Sequence, residues 1–355
     1  MATTTLKTQS QIVVAGVDTH ADTHNVTVLG SDGRWLGNDE FPTTPTGYQT
    51  LLDWVAGFGV IDRFGIELTG SYGAGLTRFL LGHGIEVIEV DIPHPNTRAK
   101  KGKDDRIDSE AAARKVLSGE ATTIPKDTTG AVEAIRQLKV ARDSAVKSRT
   151  IALQNIRDLL VTAPADLRES VASVKTLQAK AKHFALCRPD AGKLHDPVQA
   201  CKAALKALGK RVVFFNDEIT DADKAMAALV AETAPTLLSL TRVGTQHAAQ
   251  LLITAGSTPN RIRSEAAFAR LCGVAPVPIS SGKTHRVRLH RGGDRQANKT
   301  FYMIVINRLG KHQPTRDYMA KRTVDGLSKK DVIRCLKRYL VRETFQALKK
   351  DLNWT

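Results

Sequence analysis

Two aspartates, Asp105 and Asp108, stand three residues apart where an amphipathic pattern running from Ile107 to Leu117 begins. At that spacing on a helix both side chains share a face, so the two carboxylates can converge on one point. Like charges held that close need a cation between them. Asp18 closes the apolar run that starts at Ile12, and Glu67 follows Phe64-Gly65-Ile66. Carboxylates at the C-terminal ends of neighbouring strands project into one crevice, where α/β sheets place their sites. With the helix laid across that crevice, the four acids suffice for one or two Mg²⁺ ions, water and phosphate oxygens completing the coordination, with Mn²⁺ as the alternative ion. Two such ions about 4 Å apart activate the attacking oxygen and stabilise the leaving one in phosphoryl transfer.

A second constellation lies in the run Gly273 to Lys283, which ends Ile279-Ser280-Ser281-Gly282-Lys283. A serine followed by glycine can be exposed on a tight turn, and nearby cations stabilise both its alkoxide and the phosphorane it forms. Lys283, Arg286, Arg288 and Arg291 supply that charge, Arg295 follows, and His285 and His290 are available as bases. Lys100, Lys101, Lys103 and Arg106 crowd the aspartate pair in the same way. Acids that can hold metal, set among bases that can hold phosphate, indicate chemistry on nucleic acid.

The composition agrees. The chain has 355 residues and a formal charge of +16. Residues 261–350 alone hold 22 lysines and arginines against six acids, an excess equal to that of the whole chain. Such a field raises affinity and on-rate for polyanions. The four cysteines, Cys187, Cys201, Cys272 and Cys335, have neither zinc-ligand nor disulfide-framework spacing, which fits a reducing compartment. There is no apolar leader and no long uninterrupted apolar run, so a soluble cytoplasmic protein with no membrane partner is expected.

The elements that must position these residues divide into three. Residues 1–125 alternate strand and helix signals: strands at 12–18, 25–29 and 34–41, a helix near 47–55, a strand at 63–68, a helix at 72–81 and a strand at 85–90. Three strands in meander order followed by β-α units predict an α/β domain with a mixed sheet. Residues 126–232 are rich in Ala, Leu, Lys and Arg, and predict two long helices, near 131–160 and 197–229, as either an antiparallel coiled-coil arm or a plain helical bundle. Residues 233–355 predict a basic, mainly helical domain. Its Leu240-to-Ala248 segment resembles a helix–turn–helix with a glycine turn, and residues 278–298 read as a loop.

Taken together, these marks resemble the IS110 family of DEDD insertion-sequence transposases over essentially the whole chain. The N-terminal marks are Gly16-Val17-Asp18, Ile66-Glu67-Leu68-Thr69-Gly70 and Lys103-Asp104-Asp105-Arg106-Ile107-Asp108-Ser109. The C-terminal ones are Phe268 to Pro276, Ser281-Gly282, and Gly292-Gly293-Asp294-Arg295-Gln296-Ala297-Asn298. The resemblance implies a RuvC-like domain of ribonuclease H topology, a coiled-coil middle and a C-terminal transposase domain. It implies that Asp18, Glu67, Asp105 and Asp108 are the metal-binding tetrad and Ser281 the nucleophile of a phosphoserine intermediate. It further implies donor and target DNA as substrates, a structured noncoding guide RNA, and a dimer or tetramer with a composite site.

Three positions depart from the family pattern. Asp104 replaces a usual threonine, leaving two registers; Asp105 keeps the three-residue spacing to Asp108, while Asp104 lies four residues away, on the same face. Ser280 stands where glutamine is frequent and is the alternative nucleophile to Ser281. Ser109 stands where alanine is common and is expected to be neutral. The rival function within the fold is a RuvC-like, metal-dependent junction resolvase without serine chemistry. Actin-like sugar kinases also open with a strand ending in Gly-x-Asp, but Asp18-Thr19-His20-Ala21-Asp22 lacks their phosphate hairpin. A non-catalytic nucleic-acid-binding protein is the third option.

Overall fold

A computed structural model of the chain describes residues 11–91, 104–290 and 292–354, with the backbone alone described at 284–286 and 289. The chain divides into two compact units, one formed by Met1–Thr128 with Gly256–Ser264 and Trp354–Thr355, the other by Thr129–Ala255 and Glu265–Asn353.

The first unit is a five-stranded mixed sheet. Its strands are β1 (Ile12–Thr19), β2 (Thr23–Gly30), β3 (Trp35–Pro42), β4 (Val60–Glu67) and β5 (Glu86–Val90), in the order β3-β2-β1-β4-β5. The first three form the antiparallel meander, and β4 and β5 run parallel to β1. Helices α1 (Pro45–Ala56) and α2 (Ala74–Gly82) intervene along the chain, and α3 (Asp105–Leu117) follows. Strand alternation sorts the sheet into two faces. On one face Val13, Ala15, Val17, Val26, Val28, Phe64 and Ile66 pack with Leu51, Val55, Leu76 and Leu80 of α1 and α2. On the other, Val14, Ile88 and Val90 pack with Ala112 and Val116 of α3. Because helices cover both faces, β1 is buried from Val13 to Thr19, and its sequence is an almost unbroken apolar run.

The second unit is built on α4 (Gly130–Thr162) and α7 (Pro197–Thr233). Arg142 bonds Asp223 and Arg149 bonds Asn216, so position falls along one helix as it rises along the other; the pair is antiparallel. Leu205, Val212, Ile219 and Met226, all buried, recur every seven residues on α7, the spacing of a coiled-coil seam. Between the long helices lie α5 (Ala165–Glu169) and α6 (Leu177–Ala185). At Gly209 of α7 a Cβ would meet the Ala181 carbonyl at 2.5 Å, so only glycine lets α6 lie this close.

The rest of this unit comprises α8 (Pro235–Ser239), α9 (Thr245–Ala255), α10 (Glu265–Leu271), a hairpin of β6 (Pro276–Ser281) and β7 (Thr284–Leu289), and α11 (Arg295–Lys311), α12 (Gln313–Val324) and α13 (Lys329–Asp351). Phe268 packs its ring against Phe301 and Phe345, joining α10, α11 and α13. The hairpin is the main departure from the sequence reading, which expected a loop over 278–298. Isolated prolines and serines obscure the alternation there, but Gly282, at φ +56°, supplies the left-handed residue that a two-residue hairpin turn requires.

Candidate functional site

The site in the first unit begins with two glycines. Gly16 on β1 and Gly65 on β4 are register partners in the parallel pair. A Cβ on Gly16 would lie 2.2 Å from both the Ala113 nitrogen and the Ser109 carbonyl oxygen; one on Gly65 would meet Val116 at 2.5 Å and the Ala112 carbonyl at 3.0 Å. The two bare positions form a shallow trough, and α3 lies in it with its backbone nearly against the sheet. Asp18 and Glu67 come two residues after these glycines and therefore point to the same face.

Helix α3 starts with its own acids. Asp104 is the N-cap, its carboxylate accepting from the Arg106 amide at 3.0 Å. Asp105 and Asp108 follow within the first turn, where the positive end of the helix dipole favours carboxylates. The Asp104 carboxylate is thus engaged in capping, whereas that of Asp105 joins Asp18. His20 sits between these two acids, its Nε2 3.6 Å from Asp18 Oδ2 and its Nδ1 3.8 Å from Asp105 Oδ2. One ligand atom from each of the three lies within 4.8 Å of the others. Glu67 and Asp108 are both buried, at 2 % and 6 % exposure, and lie outside that group of three. The backbone after Glu67 is constrained: Leu68 adopts φ +51°, and the Thr19 hydroxyl donates to the Glu67 carbonyl at 3.2 Å.

A buried polar network holds α3 in place. The Ser109 hydroxyl contacts Thr27 Oγ1 at 2.8 Å, donates to Asn25 Oδ1 at 2.8 Å, and is reached by the Asn38 amide at 3.4 Å. The Asn38 amide also donates to Thr27 Oγ1 and the Val26 carbonyl. Ser109 therefore ties the first turn of α3 to β2 and β3, a role for which alanine has no atom, and its expected neutrality does not fit these contacts.

In the second unit Ser281 closes β6, and Gly282 and Lys283 form the turn to Thr284. Ser280, Ser281, Lys283 and Arg288 are exposed. Arg286 lies on β7, paired in register with Ile279. Arg295 is exposed at the start of α11, and Arg106 is exposed at the start of α3. Lys100, Lys101, Lys103 and Arg291 lie outside the described residues.

His20 had a sequence signal that went unused: two residues after Asp18 on an extended segment, it shares that acid's face. The Ser109 network had none, because its partners lie 71 to 84 residues away.

A mixed sheet with carboxylates ending its two central parallel strands and an acid-bearing helix across them defines a RuvC-like nucleic-acid-processing domain. Comparison with known families carries this further. A transposase family model, the DEDD domain of IS110 elements, matches residues 15–163, and the model described as the transposase IS116/IS110/IS902 family matches residues 234–320. The two segments cover about two thirds of the chain, in the expected order. The chain thus carries two domains of IS110-family transposases, in keeping with an enzyme that cuts and rejoins DNA. No curated protein matches the chain significantly. A DEDD-type domain implies use of a divalent metal, and the donor set around Asp18 and Asp105 fits one: carboxylate oxygens with an imidazole beside them. Among the described residues, no helix is long and apolar enough to cross a membrane.

Proposed function

We propose that the protein mobilises its own element by cutting and rejoining DNA through a phosphoserine intermediate. In this reading Asp18, Glu67, Asp105 and Asp108 hold Mg²⁺, with Mn²⁺ as the alternative ion, and Ser281 is the nucleophile. Asp105 rather than Asp104 is the tetrad member, because Asp104 caps α3. The bound metal would polarise the scissile phosphate and neutralise its charge. The Ser281 hydroxyl loses its proton and bonds to phosphorus as the bond to one sugar oxygen breaks. The released hydroxyl takes up a proton. Attack by a hydroxyl of the exchanged strand then reverses these changes and frees the serine.

The observation that carries this reading is the convergence of Asp18 and Asp105 across the glycine trough, within a chain that also presents an exposed serine on a cationic hairpin. The family resemblance adds a structured guide RNA, a dimer or tetramer with a composite site, and a three-part organisation at 1–125, 126–232 and 233–355. Arg106, Lys283, Arg286, Arg288 and Arg295, with Lys100, Lys101, Lys103 and Arg291, are the proposed contacts to nucleic acid. A basic surface that reads RNA by shape and backbone suits such a partner.

The test is incubation of the protein with Mg²⁺, element-end RNA and junction DNA, followed by denaturing electrophoresis. A covalent protein–DNA adduct is expected for the native chain and none for Ser281→Ala. Strand cleavage that persists undiminished in Ser281→Ala would identify a metal-only resolvase instead.

A further inference from the structure

A pocket of about 620 Å³ opens where the two feet of the serine hairpin meet α11 and α13. Its lining includes Arg295, Lys299, Lys337, Asn298, His290 and Tyr302, and no acidic residue among those described. The size is that of a ligand site rather than a packing defect.

Lys337 is the informative member. It is only 6 % exposed, yet among the described residues no carboxylate pairs with it. Its neighbours on α13 are treated differently: Arg334 is matched by Asp331 and Arg338 by Glu265. Among the described residues the Lys337 ammonium has one acceptor, Asn298 Oδ1 at 2.8 Å, and the Asn298 amide is itself fixed by donating to the Gly273 carbonyl at 2.6 Å. Asp294, which adjoins Arg295 in sequence, is committed elsewhere. It accepts from the Gln296 and Ala297 amides as the cap of α11, and from the Thr254 hydroxyl. Burial pushes the Lys337 ammonium below the usual lysine range, with the Arg334 charge adding to it. His290, on the same wall, has a buried Nδ1 with no hydrogen-bond partner among the described residues.

A buried cation without a counter-charge is costly, and natural chains retain one where a ligand brings the opposite charge. We propose that this pocket binds a backbone phosphate of the nucleic acid, with Lys337 at its centre and Arg295 and Lys299 at its mouth. The floor is built for close approach: a Cβ on Gly293 would stand 2.3 Å from the Gly273 nitrogen, so the chain on either side of the hairpin is drawn together there. At about 3.4 Å per residue the hairpin tip at Ser281 lies some five residues, about 17 Å, along β6 from its foot. The phosphate held in the pocket is therefore a positioning contact and not the one under attack. The assignment rests on the chain being a DNA-processing transposase and is independent of the serine chemistry.

Two measurements on the full chain test it. The first is thermal unfolding while inorganic phosphate is titrated against chloride at matched ionic strength. The native protein is expected to gain a saturable rise in Tm that Lys337→Met and Arg295→Ala/Lys299→Ala lack. Without phosphate, Lys337→Met should melt at or above the native temperature, because an unpaired buried charge has been replaced by an apolar chain of similar length. The second is binding to a DNA duplex and to an RNA hairpin across a range of salt. Lys337→Met should lower the slope of log affinity against log salt by about one for whichever nucleic acid occupies the pocket. No saturable rise in the native protein, or a rise kept by Lys337→Met, overturns the proposal. So does Lys337→Met melting well below the native chain without phosphate, which would make Lys337 a structural strut. A phosphate-dependent rise with both salt slopes unchanged would mark a small-anion site and overturn the nucleic-acid assignment.

Discussion

The two faces of the N-terminal sheet are made from alternate residues of the same strands, yet they follow opposite rules. The face under α1 and α2 is filled by Val, Leu, Ile and Phe side chains. The face under α3 has bare glycines at its centre, a buried Asn25–Thr27–Asn38–Ser109 network to one side, and carboxylates at its edge. On the first face stability comes from apolar volume. On the second, packing is given up so that a helix backbone can come close enough to set its acids beside those of the strands. Charge and hydrogen bonding are thus concentrated on the face that carries the candidate metal ligands. His24 is the exception, a fully buried imidazole on the apolar face, stacked on Tyr48 at 5.8 Å.

Filling the trough is the strongest way to break this contrast. In Gly16→Ala the new methyl would collide with the α3 backbone, which cannot turn aside as a flexible side chain would. A loss of about 3 kcal/mol or more is expected from overpacking, together with loss of Mn²⁺ binding. Urea unfolding and metal titration check the two effects. Adding a methyl on the apolar face instead, in Ala15→Val, should leave metal binding intact if the faces are independent.

His24 sharpens the comparison from the other side. Burial lowers its pKa from 6.5 to about 4, the Thr23 backbone offsetting part of that shift. The folded chain therefore keeps His24 neutral while the unfolded chain takes up a proton between those two values. Stability should be complete above pH 6.5, fall as the pH drops toward 4, and level off below it. That gap corresponds to about 3 kcal/mol at most. Denaturant midpoints at pH 7 and pH 5 should differ for the native chain and converge in His24→Leu; an acid limb unchanged in that variant would place the proton elsewhere.

The smallest expected effect belongs to Ser109→Ala. It removes one hydroxyl from the network and leaves buried amide and hydroxyl groups short of partners, a loss of about 1–2 kcal/mol. Because Ser109 is one residue from Asp108, the variant should also weaken Mn²⁺ binding, while Ser118→Ala, which removes exposed hydroxyl contacts to the Lys115 carbonyl and the Glu120 amide at the far end of α3, should not. Full stability and full metal affinity in Ser109→Ala would show that the network is ornamental to the site.

Much of the site was legible because its signals are local. Asp18 and Glu67 end apolar runs, Asp105 and Asp108 open an amphipathic one, and strand alternation fixes which neighbours share their face. The mixed sheet followed from the order of strand and helix patterns, and the long antiparallel helices from composition and length. The hairpin at Ser281 was missed because prolines and serines blur its period, and its pairing is made between segments whose own propensity for strand is weak. His20 was readable by spacing alone, but a histidine beside an acid gains meaning only when a second acid, 85 residues further on, arrives at its other nitrogen.

By itself the sequence determined which residues are available for chemistry, which strands are buried on both sides, and that the chain carries an excess of positive charge suited to nucleic acid. Periodicity and local capping are properties of neighbouring residues, so they survive in one dimension. Only the tertiary structure decided that Lys337 is buried with no counter-charge among the described residues, which serine locks the acid-bearing helix, and which glycines must stay bare. Each of those depends on atoms brought together from distant parts of the chain, and desolvation and close contact act between atoms in space, whatever their separation in sequence.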